Sequence, residues 1–188
     1  MGSGGTGSPA ASATTAPMTT ATPKPKPKPT GAPAITMVEC QTLMTLAEAN
    51  QIISPPSPAT TLQAVSSDTV GVCNYLTASK VLVLKILTET YTGPVPIPQT
   101  TLEGMLAQLV QSPNLTINSA TTVSGVGDQA VYLAVSFAGT GSSVDAHVFY
   151  TIYGKVIVGC VTYRLNGVGQ SGTQGQLQQC AEQVISRL

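Results

Sequence analysis

Four cysteines constrain this chain more than any other feature: Cys40, Cys73, Cys160 and Cys180. None forms a C-x-x-C pair, so zinc-finger and thioredoxin-type arrangements fail. The single histidine, His147, leaves a Cys/His metal cage short of ligands. An even cysteine count in a chain with only 9% charged residues predicts two disulfides and an oxidising compartment, rather than four buried thiols. We expect Cys40 with Cys73, pinning the first helix to a strand, and Cys160 with Cys180, pinning the last helix to the sheet. Three pairings are possible, and the sequence alone does not choose among them. Each expected bridge closes a loop worth about 3–4 kcal/mol in the chain-entropy model.

The 188 residues divide by composition into two parts. Residues 1–35 are mostly Gly, Ser, Ala, Thr and Pro and include the alternation Pro23-Lys24-Pro25-Lys26-Pro27-Lys28-Pro29. Such a run has too little apolar surface to offset its ordering entropy, so we expect a disordered Thr/Pro/Lys-rich tether. Alternating Pro and Lys favours extended polyproline II. Met1-Gly2-Ser3-Gly4-Gly5 resembles the flexible run after a cleavage or lipid-attachment point, and we expect the natural start, with its signal or anchor, to lie upstream. Residues 36–188 then form one domain. The arm holds three of the eight basic residues and none of the eight acidic ones, so the domain carries five basic against eight acidic, a net of −3. A mildly acidic domain with two arginines, Arg164 and Arg187, is a poor reader of phosphate backbones, which argues against nucleic acid.

The domain reads as α+β. Thr45 followed by Glu48 is a capping box that opens a helix ending before Pro55-Pro56. Thr100 followed by Glu103 opens a second, with Leu102, Met105, Leu106, Leu109 and Val110 on one stripe and Pro113 ending it. Leu177, Cys180, Ala181, Val184, Ile185 and Leu188 recur at helical spacing in a third. Five Val-, Ile- and Tyr-rich runs read as strands: 70–77, 81–88, 129–137, 146–153 and 155–164. Their connections are too short for helical crossovers, which predicts a mainly antiparallel sheet of about five strands packed with three helices.

Strand parity sharpens this picture. With a two-residue turn near Gly154, His147, Phe149 and Thr151 share a face with Val156, Val158 and Cys160. If Cys160 bonds Cys180, the third helix covers that face. Val148, Tyr150, Ile152, Ile157, Val161 and Tyr163 point the other way, where the expectation is cover by the first two helices or exposure as a binding surface.

The order Cys40, Thr45-Leu46-Ala47-Glu48-Ala49, Cys73-Asn74-Tyr75, Val123-Ser124-Gly125-Val126-Gly127-Asp128-Gln129-Ala130-Val131-Tyr132 and Ala181-x-x-Val184-Ile185 resembles a family of small bacterial envelope lipoproteins of unknown function. Similar domains occur as outer sensor domains of some bacterial receptor kinases. The resemblance covers roughly residues 38–188. It implies pairing of Cys40 with Cys73, and export with a lipid anchor on an upstream cysteine. Thr36-Met37-Val38-Glu39 before Cys40 is not a lipid-attachment sequence, so that anchor would lie outside this chain. The family carries no established catalytic residues to transfer.

Candidate chemistry is sparse. Gly125-Val126-Gly127-Asp128-Gln129-Ala130 matches G-x-G-x-x-A, but a strand-like run follows where a nucleotide site needs a helix. Gly125, Gly127 and Asp128 read instead as a structural turn, with Asp128 bonding local amides. A hydrolase would have to use His147 with Asp128 or Asp145, and no G-x-S-x-G elbow is present. Glu48 and Glu103 are explained as helix caps, and no carboxylate pair stands out for glycoside hydrolysis. We therefore expect a non-enzymatic, cofactor-free domain that binds or senses an unidentified envelope ligand or protein, touching membrane only through an anchor outside this chain. The alternatives are a structural surface protein or, less favoured, an envelope hydrolase. The candidate binding residues are Tyr150 and Tyr163 on the second sheet face, with Tyr91 in the long Glu89–Pro98 connection, which reads as an ordered flap.

Overall fold

The computed structural model describes Met1 and residues 37–66, 70–91, 114–139 and 141–188. The N-terminal arm, the expected helix from Thr100 and most of the Glu89–Pro98 connection lie outside the described residues. The elements in chain order are helices α1 (Met37–Leu43) and α2 (Leu46–Ile53), then strands β1 (Thr61–Ser66), β2 (Val70–Leu76) and β3 (Leu82–Thr90). After these come β4 (Leu115–Val123), β5 (Gln129–Gly139), β6 (Ser142–Tyr153), β7 (Val156–Leu165), β8 (Val168–Gly169) and helix α3 (Gln174–Arg187).

The strands form one antiparallel sheet in the order β1-β2-β3-β7-β6-β5-β4, with β8 paired to β7. Eight strands stand where about five were expected. The three additions have weak signals for physical reasons. β4 is an edge strand of Thr, Ser and Asn that is largely exposed, so it needs no apolar alternation. β1 is a six-residue edge strand with one buried side chain, Leu62, and β8 is two residues long.

One face of the sheet carries the main core. Cys73, Tyr75, Leu84, Ile86, Phe149, Val156, Val158 and Cys160 pack there against Cys40, Leu43, Met44, Ile52, Ile53, Leu177, Cys180, Ala181 and Val184. All three described helices therefore lie on this face. The expectation that the first helix covers the opposite face is corrected: the Cys40–Cys73 bridge and the short α1–α2 link hold it on the α3 side. The register Phe149↔Cys160 and Thr151↔Val158 matches the parity argument around Gly154.

The bridges are Cys40–Cys73 and Cys160–Cys180, with no free cysteine. Further contacts reinforce them. The Tyr75 hydroxyl donates to the Met44 carbonyl at 2.7 Å, tying the end of α1 to β2 two residues beyond Cys73. Burial pushes that phenol well above its ordinary pKa. The Thr45–Glu48 capping box forms as the sequence predicts, and the same Glu48 carboxylate accepts from Arg187 at the end of α3 (2.5 Å). The Gln176 side chain donates to the Ile53 carbonyl at 3.0 Å. Helices α2 and α3 are thus joined at both ends.

Candidate functional site

The opposite face of the sheet, hereafter the second face, holds two zones. The inner zone lies on the central strands: Val131 and Leu133 from β5, Val148 and Ile152 from β6, with Tyr150, Ile157, Val161 and Tyr91 packed against them. Its members are brought together by register, since Val131 pairs with Tyr150, Leu133 with Val148 and Ile152 with Ile157. Tyr150 lies over Gly159: a Cβ there would come within 2.7 Å of its ring. Burial, and then the nearby Glu89 carboxylate, raise the Tyr150 pKa.

The outer zone lies at the far ends of the same strands. Phe137 pairs with Val144, Val144 with Leu165, and Leu165 with Val168. This row crosses four strands, and Phe137, Leu165 and Val168 are 38%, 46% and 59% exposed. Tyr163 stands on the same face two residues before Leu165. Of the three candidate tyrosines, Tyr91 and Tyr150 share the inner zone. Tyr163 lies four residues from Gly159, roughly 13 Å along the strand, and borders the outer row.

The remaining candidates have other partners. Gly125 and Gly127 adopt positive φ, and at Gly127 a Cβ would collide with the Ile152 carbonyl. Asp128 accepts from the Gly154 amide at 2.8 Å, so it caps the neighbouring β6–β7 turn rather than only its own loop. Val126, buried, accepts through its carbonyl from Thr151. The stretch resembling a nucleotide fingerprint is followed by β5, a strand, and seats one turn on another.

On the helix-covered face, His147 Nδ1 meets the Tyr132 hydroxyl at 2.6 Å, and desolvation raises the tyrosine's pKa. Asp128 lies at the start of β5, about 20 Å along the sheet from the level of His147. Asp145 is on the same face as His147 but exposed. Among the described residues no group of three or more His, Cys, Asp or Glu is placed to hold a metal ion, and no helix is long and apolar enough to cross a membrane.

The outer row is what reading the sequence missed. The apolar alternation read from the sequence ends its strands at Phe137 and Arg164, which leaves Val144, Leu165 and Val168 in turns. Extending the same alternation across Gly139–Gly141 would have put Phe137, Val144 and Leu165 on one face. No family model matches this chain, and no curated protein is significantly similar to it.

Proposed function

We propose that this chain is an exported, envelope-tethered binding or sensing domain, of the small envelope-lipoprotein type, which recognises an apolar element of an envelope ligand or protein through its outer row. The observation carrying this reading is the exposure of Phe137, Leu165 and Val168 side by side on one face. Scattered single apolar residues need no explanation, but a contiguous row at a sheet end favours a contact surface. Tyr163 beside it adds an aromatic with a polar tip, the residue type enriched at interfaces. Engagement of all four cysteines supports an oxidising compartment.

The test is thermal unfolding of the full chain with wall fragments, lipid vesicles and purified envelope proteins, beside the variant Phe137→Ser/Leu165→Ser/Val168→Ser. The reading expects one class to raise Tm and the variant to lose that shift while keeping its own Tm. No shift with any class would leave a structural surface protein. Mapping cysteines in protein taken from its own cells tests the compartment: alkylated thiols at all four positions would sink it.

A further inference from the structure

The outer row stands on an end of the sheet that reaches past the start of α3. That helix begins beside Thr162, whose Oγ1 accepts from the Gly172 amide at 2.8 Å, and runs toward Cys160, to which Cys180 is bonded. It therefore leads away from the β5–β6 and β7–β8 turns. From Thr162 to Asn166 is roughly 13 Å of extended chain. Ala138, Ser143, Asp145 and Arg164, on the helix-side face of this end, are exposed, as are Phe137, Leu165 and Val168 on the second face. The end is thus a tip with water on both sides.

Its two faces differ in chemistry. Register gives the second face Leu115, Phe137, Val144, Leu165 and Val168, one from each of five adjacent strands. The other face carries Ser136, Ser143 and the cross-strand pair of Asp145 and Arg164. Those two are opposite in sign, and among the described residues no other charged side chain stands on the tip (114–118, 135–146 and 163–169). The tip is also held as one unit. The Asn166 backbone amide donates to the Ser143 carbonyl at 2.8 Å, and the Ser143 amide donates to Asn166 Oδ1 at 2.7 Å, which fastens the β7–β8 turn to the β5–β6 hairpin.

The apolar strip measures about 19 Å by about 7 Å, roughly 130 Å², whereas a stable protein interface takes about 800 Å² from each partner. Apart from Tyr163 behind it, the strip has no side-chain donor or acceptor with which to orient a protein surface. A lipid layer is fluid, fits any shape and asks for no such bonds. We propose that this tip dips into the surface of a lipid bilayer. The strip enters the outer acyl region, Asp145 and Arg164 stay among the headgroups, and the Tyr163 ring sits at the boundary. The arrangement is the sheet counterpart of an amphipathic helix lying in the membrane plane. The proposal rests on the outer row being a contact surface, and names lipid as what it contacts. It gives the domain a membrane contact of its own, beyond the anchor through which alone the sequence led us to expect one.

Flotation of the full chain with phosphatidylcholine vesicles tests it, beside Phe137→Ser/Leu165→Ser/Val168→Ser checked for an unchanged Tm. Because Asp145 offsets Arg164, the full chain is expected to float on this uncharged lipid at low and high salt alike. The variant is expected to bind more weakly by about tenfold or more. The chain has no tryptophan, so Phe137→Trp is a single reporter. Its emission should shift to the blue on vesicles and be quenched by lipids brominated in their acyl chains; unshifted, unquenched emission overturns the proposal. Absence of flotation overturns it too, as does flotation that the triple variant retains. Binding that appears only with anionic lipid and vanishes in salt would belong to Lys24, Lys26 and Lys28, and would overturn it. A concentration-dependent dimer that the variant loses would put a second copy on the strip instead. A Tm shift with a wall fragment or envelope protein, lost in the variant and without vesicle binding, would keep the outer row as a contact surface and remove the lipid. No response to any of the three would remove both.

Discussion

The two faces of this sheet are held by different means. On one, three helices sit over a continuous core, with two disulfides, a buried tyrosine hydroxyl and an ion pair crossing between elements. On the other, the described contacts are side chain to side chain within the sheet, and they fade from a buried centre to an exposed end. These covalent and polar ties fall where helices must be kept on the sheet. Within the sheet, register already brings the residues into contact, so apolar alternation is enough.

Removing a staple should break this contrast most sharply. Cys40→Ala/Cys73→Ala is expected to cost about 3–4 kcal/mol by denaturant unfolding, because the bridge closes a loop between residues separated by 33 positions. A loss below about 1 kcal/mol would mean that Tyr75 and the core around it hold α1 without the bridge.

Leu133→Ala probes the centre of the second face. A side chain 3% exposed should cost about 2–4 kcal/mol on truncation. A much smaller loss would make the inner zone soft, and the faces would differ in packing as well as in cross-links.

The Glu48–Arg187 pair is a smaller contributor. The Arg187 guanidinium, with help from the Thr45 cap, lowers the Glu48 pKa to about 2. A depressed carboxylate pKa adds stability that is present above its ordinary value near 4.5 and is lost as pH falls toward about 2. Both side chains are about 30% exposed, so the screened contribution is at most about 1 kcal/mol. Glu48→Gln should therefore lower stability slightly at pH 7 and flatten its decline between pH 4.5 and 2. An unchanged acid profile would show that the pair does not link α2 to α3.

The smallest stability effect belongs to the outer row. Phe137→Ser and Leu165→Ser should each shift stability by no more than about 0.5 kcal/mol. A loss of 2 kcal/mol at either would make the row part of the core rather than a contact surface.

Legibility followed the physics of each element. The β6–β7 register was readable because Gly154 and strict alternation specify it, and together with the expected Cys160–Cys180 bridge it put the last helix on the face of Phe149 and Val158. The capping box at Thr45 marked α2 to the residue. By contrast, α1 is seven residues long and separated from α2 only by Met44 and Thr45, so its signal merges with its neighbour's. β4 lacks the pattern that reveals buried strands, since most of its side chains are exposed. Asp128 could be read as a turn residue, but not as the cap of a turn 26 positions away, because that contact exists only after β5 and β6 have paired. The Tyr132–His147 bond is likewise a cross-strand contact that depends on register.

The connectivity of the two bridges has a bearing on how the protein is made. The loops follow one another along the chain: Cys40–Cys73 closes before Cys160 is reached. Synthesis delivers the cysteines in that same order. An oxidant that joins each new thiol to the one before it produces the native pairing at the first attempt. Consecutive pairing of this kind removes the occasion for reshuffling that interleaved bridges would create.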